Sequence, residues 1–130
     1  LDAYTEVLPV LTKLNERKIT CAILSNGSKP MLTSAIVNSG IERYVTAVLS
    51  VEEVGIFKPD PKVYQMVLDH LVCRLSEVLF VSSNGRDIAG ASQFGFKTLW
   101  INRLNLPVDR LPFSPDSTGV DLNIIKTFIN

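Results

Sequence analysis

A chain of 130 residues is enough for one domain and no more. Its 13 basic and 13 acidic side chains cancel, which argues against nucleic acid or an anionic membrane surface as partner, and no apolar run approaches the ~18 residues of a membrane span. With 46% hydrophobic residues the chain can bury a core, and Cys21 and Cys73 stand inside apolar runs rather than in a metal spacing, as expected of reduced core cysteines in a cytoplasmic protein.

Leu1 is not Met, and no signal-peptide pattern follows it, so the chain reads as a piece of a longer one. Residues 2–17 are helical in pattern, with Leu8, Val10, Leu11 and Leu14 as the apolar stripe, Lys13, Glu16 and Arg17 opposite, and Pro9 in the first turn. The uncharged, β-branched run 19–24 predicts a buried parallel strand, closed by Ser25-Asn26-Gly27-Ser28. A helix over 31–39 follows Pro30 and stops at Gly40, and 45–49 is a short strand.

In Lys58-Pro59-Asp60-Pro61, Asp60 is an N-cap and Pro61 a first helical residue. That helix runs to about Leu71 with Val63, Met66, Val67 and Leu71 inward. Ser76 with Glu77 suits a short turn before a strand at 79–81. Six polar or turn-forming residues, 82–87, end that strand. The helix 88–94 is stopped by Gly95, and 98–101 is a further strand. After Arg103 the chain reads as irregular, with a last helix over 122–129. Strands alternating with helices predict an α/β fold with a Rossmann-like, doubly wound parallel sheet.

In such sheets chemistry collects at the carboxyl ends of strands. Polar sets stand at those places: Ser25-Asn26, then Lys58, then Ser82 through Asp87. Each alone is unspecific, since Ser-Asn-Gly is a common turn and an acid near a helix start complements the helix dipole. Their order along the chain is what points to a site.

That order resembles the haloacid dehalogenase superfamily. Ile23-Leu24-Ser25-Asn26-Gly27 is similar to its second motif, Phe57-Lys58-Pro59-Asp60-Pro61 to its third, and Val81-Ser82-Ser83-Asn84-Gly85-Arg86-Asp87 to its fourth. Magnesium-dependent phosphatases of the superfamily carry Gly-Asp where Ser82-Ser83 stands, and a hard cation wants several anionic oxygens. Ser-Ser-Asn is similar instead to the L-2-haloacid dehalogenase branch, as are Tyr64 and the run from Phe94 to Arg103. Arg86 departs from the Trp that branch commonly has there, which bears on the halide pocket.

The resemblance implies a hydrolase that displaces halide from L-2-haloalkanoic acids through an aspartyl ester. It implies catalytic roles for Lys58, Ser82, Asn84 and Asp87, and substrate binding by Ser25, Asn26 and Tyr64. No metal or other cofactor is implied; magnesium belongs to the alternative, a small-molecule phosphatase. Partners would be the small-molecule 2-haloacid and, in a homodimer, a second copy. The family's first motif, a strand ending in the nucleophilic Asp, and its cap are not recognisable. Asp2-Ala3-Tyr4-Thr5 echoes that motif only superficially. Residues 1–130 are therefore expected to be an incomplete core domain, with 1–8 ending a cap linker and 104–130 an irregular C-terminal segment. On this reading the 130-residue chain by itself is inactive, either as a truncated enzyme or as a non-catalytic pseudoenzyme.

Overall fold

The computed structural model describes residues 5–53, 55, 58, 60–104 and 114–128. Asp2, Phe57 and Pro59 lie outside the described residues. The described residues up to 55, with 122–128, form one compact unit, and those from 58 to 121 form another.

In the first unit, helix α1 (Val7–Glu16) buries Val10 and Leu14, which are four residues apart and share a face. Leu8, expected on that stripe, is 40% exposed. At ~100° per residue it stands about 200° around the helix from Val10, on the opposite side. The helix is closed by the N–H of Ile19 on the Leu14 carbonyl at 2.9 Å, with Lys18 left-handed at φ 58. Residues 18–19 are thus used to end the helix. Strand β1 (Ala22–Ser25) accordingly begins later than the apolar run suggests.

Helix α2 (Lys29–Ser39) starts on a Ser28 cap, whose Oγ accepts from the Met31 N–H at 3.4 Å, and ends at left-handed Gly40. Strand β2 (Ala47–Ser50) pairs in parallel with β1, in a register that sets Ser25 beside Ser50. Helix α2 packs on β2. Among the described residues β1 has no other strand partner, and Ile23 and Leu24 are half-buried rather than buried as expected. A ladder on one side alone covers less of a strand than two. Residues Leu122–Phe128 wind as a 3-10 helix instead of the expected α-helix, pack against α1 and bury Ile125; the Leu122 N–H is held by the Glu6 carboxylate at 3.2 Å.

In the second unit, helix α3 (Pro61–Leu71) is capped by Asp60, which accepts from the Lys62 N–H at 2.9 Å, and buries Val63, Tyr64, Met66 and Val67. The turn Leu75–Glu77 is closed by the Glu77 carboxylate on the Arg74 N–H at 3.0 Å, not by Ser76. Strands β3 (Leu79–Ser82), β4 (Lys97–Ile101) and β5 (Ser117–Gly119) form a parallel sheet in that order. Helix α4 (Gly85–Phe94) lies on β3 and β4 through buried Ala89, Gly90 and Ala91. Strand β5 falls in the stretch expected to be irregular. Asp116 pins its start, accepting from the Thr98 N–H at 2.8 Å.

The fold is the parallel α/β class that the alternation predicts. Both cysteines are free and half-buried rather than fully enclosed. No helix among the described residues is long and apolar enough to cross a membrane.

Candidate active site

In the second unit the loop after β3 and the start of α4 gather most of the residues singled out from the sequence. Asp87 sits in the first turn of α4, where a carboxylate suits the positive end of the helix dipole. Lys58 Nζ lies 2.8 Å from Asp87 Oδ2, both side chains largely buried at 16% and 10% exposure. The Tyr64 hydroxyl donates to Asp87 Oδ1 at 3.0 Å and approaches the Asp87 carbonyl oxygen at 3.3 Å. Asp87 is thus held by a cation on one oxygen and a phenol on the other.

The sequence explains why the phenol is there. Tyr64 is on the buried face of α3, one residue after Val63, and is fully enclosed. Its ring meets Phe80, Phe94 and Phe96 at centroid distances of 5.6, 5.8 and 6.0 Å. Such edge-on and tilted contacts fix an aromatic side chain and leave only its polar tip to choose a partner. Burial, then the charge of Asp87, then the hydrogen bond to it push the Tyr64 hydroxyl well above its ordinary pKa of 10.0. It stays a neutral donor.

Ser82 and Asn84 organise the loop itself. The Ser82 Oγ accepts from the Asn84 N–H at 3.1 Å. Asn84 caps α4, its Oδ1 accepting from the N–H groups of Arg86 at 2.9 Å and Asp87 at 3.4 Å. This capping role had no clear signal in the sequence, where a helix start at 88 was expected. Arg86 is exposed on the first turn. From β4, the Trp100 indole N–H reaches the Ser83 carbonyl at 3.2 Å.

The structure therefore brings Lys58, Tyr64 and Asp87 into direct contact and joins Ser82, Asn84 and Asp87 through one loop. Ser25 and Asn26 lie in the other unit, at the carboxyl end of β1. There the Ser25 Oγ accepts from the Gly27 N–H at 3.1 Å. Ser50, beside it in β2 and fully buried, donates to the Gly27 carbonyl at 2.7 Å and accepts from the Glu52 N–H at 3.2 Å. Ser50 carries no signal in the sequence, and only the register of the parallel pair finds it. Among the described residues no three His, Cys, Asp or Glu side chains cluster as metal ligands would.

A family model for haloacid dehalogenase-like hydrolases matches residues 1–101. An (S)-2-haloacid dehalogenase of Pseudomonas sp. (strain CBS-3) is 47% identical over 107 residues, covering 82% of this chain and 47% of that protein. A solved L-2-haloacid dehalogenase superposes with TM-score 0.95 at 38% identity, over 99% of this chain and 57% of its own. The L-2-haloacid dehalogenase of Xanthobacter autotrophicus with chloropropionic acid covalently bound gives TM-score 0.89 at 30% identity, over 97% and 60%. The chain spans about half the length of the curated relatives it matches.

Proposed function

The chain belongs to the haloacid dehalogenase-like hydrolase family, and from that premise we propose that the whole protein hydrolyses L-2-haloalkanoic acids without a metal, through an aspartyl ester. The observation that carries this reading is the Lys58–Asp87–Tyr64 cluster. A carboxylate held by an ammonium at 2.8 Å and a phenol at 3.0 Å already has donors on both oxygens. Each carboxylate oxygen accepts more than one hydrogen bond, so a water can still be received.

In the first step, an Asp carboxylate of the whole protein attacks C2 of the substrate. A C–O bond forms, the carbon–halogen bond breaks, and halide leaves with the electron pair. In the second, Asp87 takes a proton from water, which adds to the ester carbonyl carbon. The acyl C–O bond breaks, the leaving alkoxide takes up the proton from Asp87 to give the 2-hydroxy acid, and the regenerated carboxyl group loses its proton to solvent, restoring the nucleophile. Splitting one displacement into two is covalent catalysis.

Lys58 offsets the negative charge of the carboxylates and is steadied by Ser82. Asn84 holds the water and Tyr64 orients Asp87. Ser25 and Asn26 receive the substrate carboxylate or the halide. Residues 1–130 are then part of one core domain of a cytoplasmic enzyme that works as a homodimer.

The test is halide release from (S)-2-chloropropionate by the full-length protein, with and without a chelator, beside phosphate release from p-nitrophenyl phosphate. Chelator-insensitive chloride release is expected. Chelator-sensitive phosphate release without chloride would establish the phosphatase alternative instead.

A further inference from the structure

The loop that carries Ser82, Asn84 and Asp87 is tied at both ends by side chains from other elements. Tyr64 reaches its far end at Asp87. Trp100 reaches its near end, and no role has yet been given to it. The β3–β4 ladder ends at the pair Ser82 and Trp100. One residue later the main chain of Ser83 has left the strand, and the Trp100 indole N–H meets its carbonyl at 3.2 Å. The indole so continues the hydrogen bonding of the sheet one step past its last backbone pair.

Trp100 is a firm base for this. It is 8% exposed, and β4 pairs on its other side with β5, Trp100 beside Thr118. Between Ser83 and Asp87, where Tyr64 and Lys58 take hold, the loop is held by its own short-range bonds, Ser82 to Asn84 and Asn84 to Arg86 and Asp87. Those bonds define its shape but not its position on the sheet.

We propose that Trp100 is a positioning residue for the ester-hydrolysis step, its indole N–H fixing where the Ser82–Asp87 loop leaves the sheet. This rests on the dehalogenase reading above. Ser83 is an exposed residue, so water should be able to replace the indole and the fold to tolerate the loss. The cost falls on geometry: displacing a catalytic group by ~1 Å can cost up to about a hundredfold in rate. Because Asp87 serves the second step, halide displacement should be spared and hydrolysis slowed.

The experiment uses the full-length protein with Trp100→Phe and, in parallel, with benzothienylalanine at position 100, an isostere whose sulfur replaces the N–H. Chloride release from (S)-2-chloropropionate is followed before and during steady state. For both variants we expect an initial burst of chloride, steady turnover lowered about tenfold or more and KM lowered with it, so that kcat/KM stays within about twofold of wild type. Turnover within about twofold of wild type in the isostere, or a slowed burst with unchanged later turnover, would overturn the role. Should Trp100→Phe misfold, the isostere alone decides. A wild-type protein that releases no chloride would instead refute the dehalogenase reading.

Discussion

Tyr64 and Asp87 meet twice: the phenol donates to the carboxylate at 3.0 Å and lies 3.3 Å from the backbone carbonyl of the same residue. One hydroxyl therefore fixes both the side chain and the main chain of the acid. The aromatic cluster around it removes the alternatives that a tyrosine at the surface would have.

That burial has a pH signature. The Tyr64 pKa is raised above 10.0 in the folded state, so the folded chain keeps a proton that the unfolded chain gives up. Stability from this group is fully present below about pH 10 and is lost as pH rises further. Tyr64→Phe should flatten the alkaline part of a denaturation-against-pH profile relative to wild type. An unchanged slope would mean that the hydroxyl is not held as described.

Lys58→Met should reduce activity far more than it reduces stability. It strips the proposed base Asp87 of its cation, while Tyr64 still donates to that carboxylate in the folded variant. Lys58 precedes α3 and contributes little to the core, so the loss should appear chiefly in turnover. Comparing kcat with the urea midpoint checks this; near-normal turnover would make Lys58 an ordinary charge.

Asn84→Asp separates the two jobs of Asn84. The carboxylate keeps the acceptor that caps α4, so stability should stay within ~0.5 kcal/mol of wild type, while Asn84→Ala should lose ~1 kcal/mol. Activity should fall in both, because each lacks the amide N–H that, on the proposed mechanism, steadies the water. Full activity in Asn84→Asp would reduce the residue to a cap.

Gly95 ends α4 at φ 115, and a Cβ built there would stand 2.7 Å from Leu75 Cδ2. Gly95→Ala should destabilise the chain by ~1–2 kcal/mol, from the left-handed backbone and the clash together. Adding Leu75→Ala should recover only the clash, leaving the backbone part, as a double-mutant cycle of denaturation midpoints would show.

Much of this was legible in the residues. The β-branched runs, Gly40 and Gly95 as helix stops, and Asp60-Pro61 as a start all act locally, so spacing reveals them. What spacing could not reveal was set by tertiary contact. Strand β5 is chemically nondescript, Ser-Thr-Gly, and exists because β4 and Asp116 hold it. Lys58 and Asp87 were each recognisable, but their pairing depends on a fold that brings together positions 29 residues apart. Leu8 falls off the buried stripe because a count of apolar residues ignores the angle between them. Trp100 reads from the sequence only as part of the strand 98–101, since nothing in a sequence shows that an indole N–H will find a carbonyl across the sheet.

The most direct measurement is chloride release per enzyme by full-length Asp87→Asn mixed with excess (S)-2-chloropropionate. Displacement needs only the nucleophile, whereas hydrolysis needs Asp87 as base. The account predicts chloride equal in amount to the enzyme, then a stall, with the protein left carrying the substrate's acid as an ester. Sustained release at the wild-type rate, or no burst from a folded variant whose wild type is active, would contradict it.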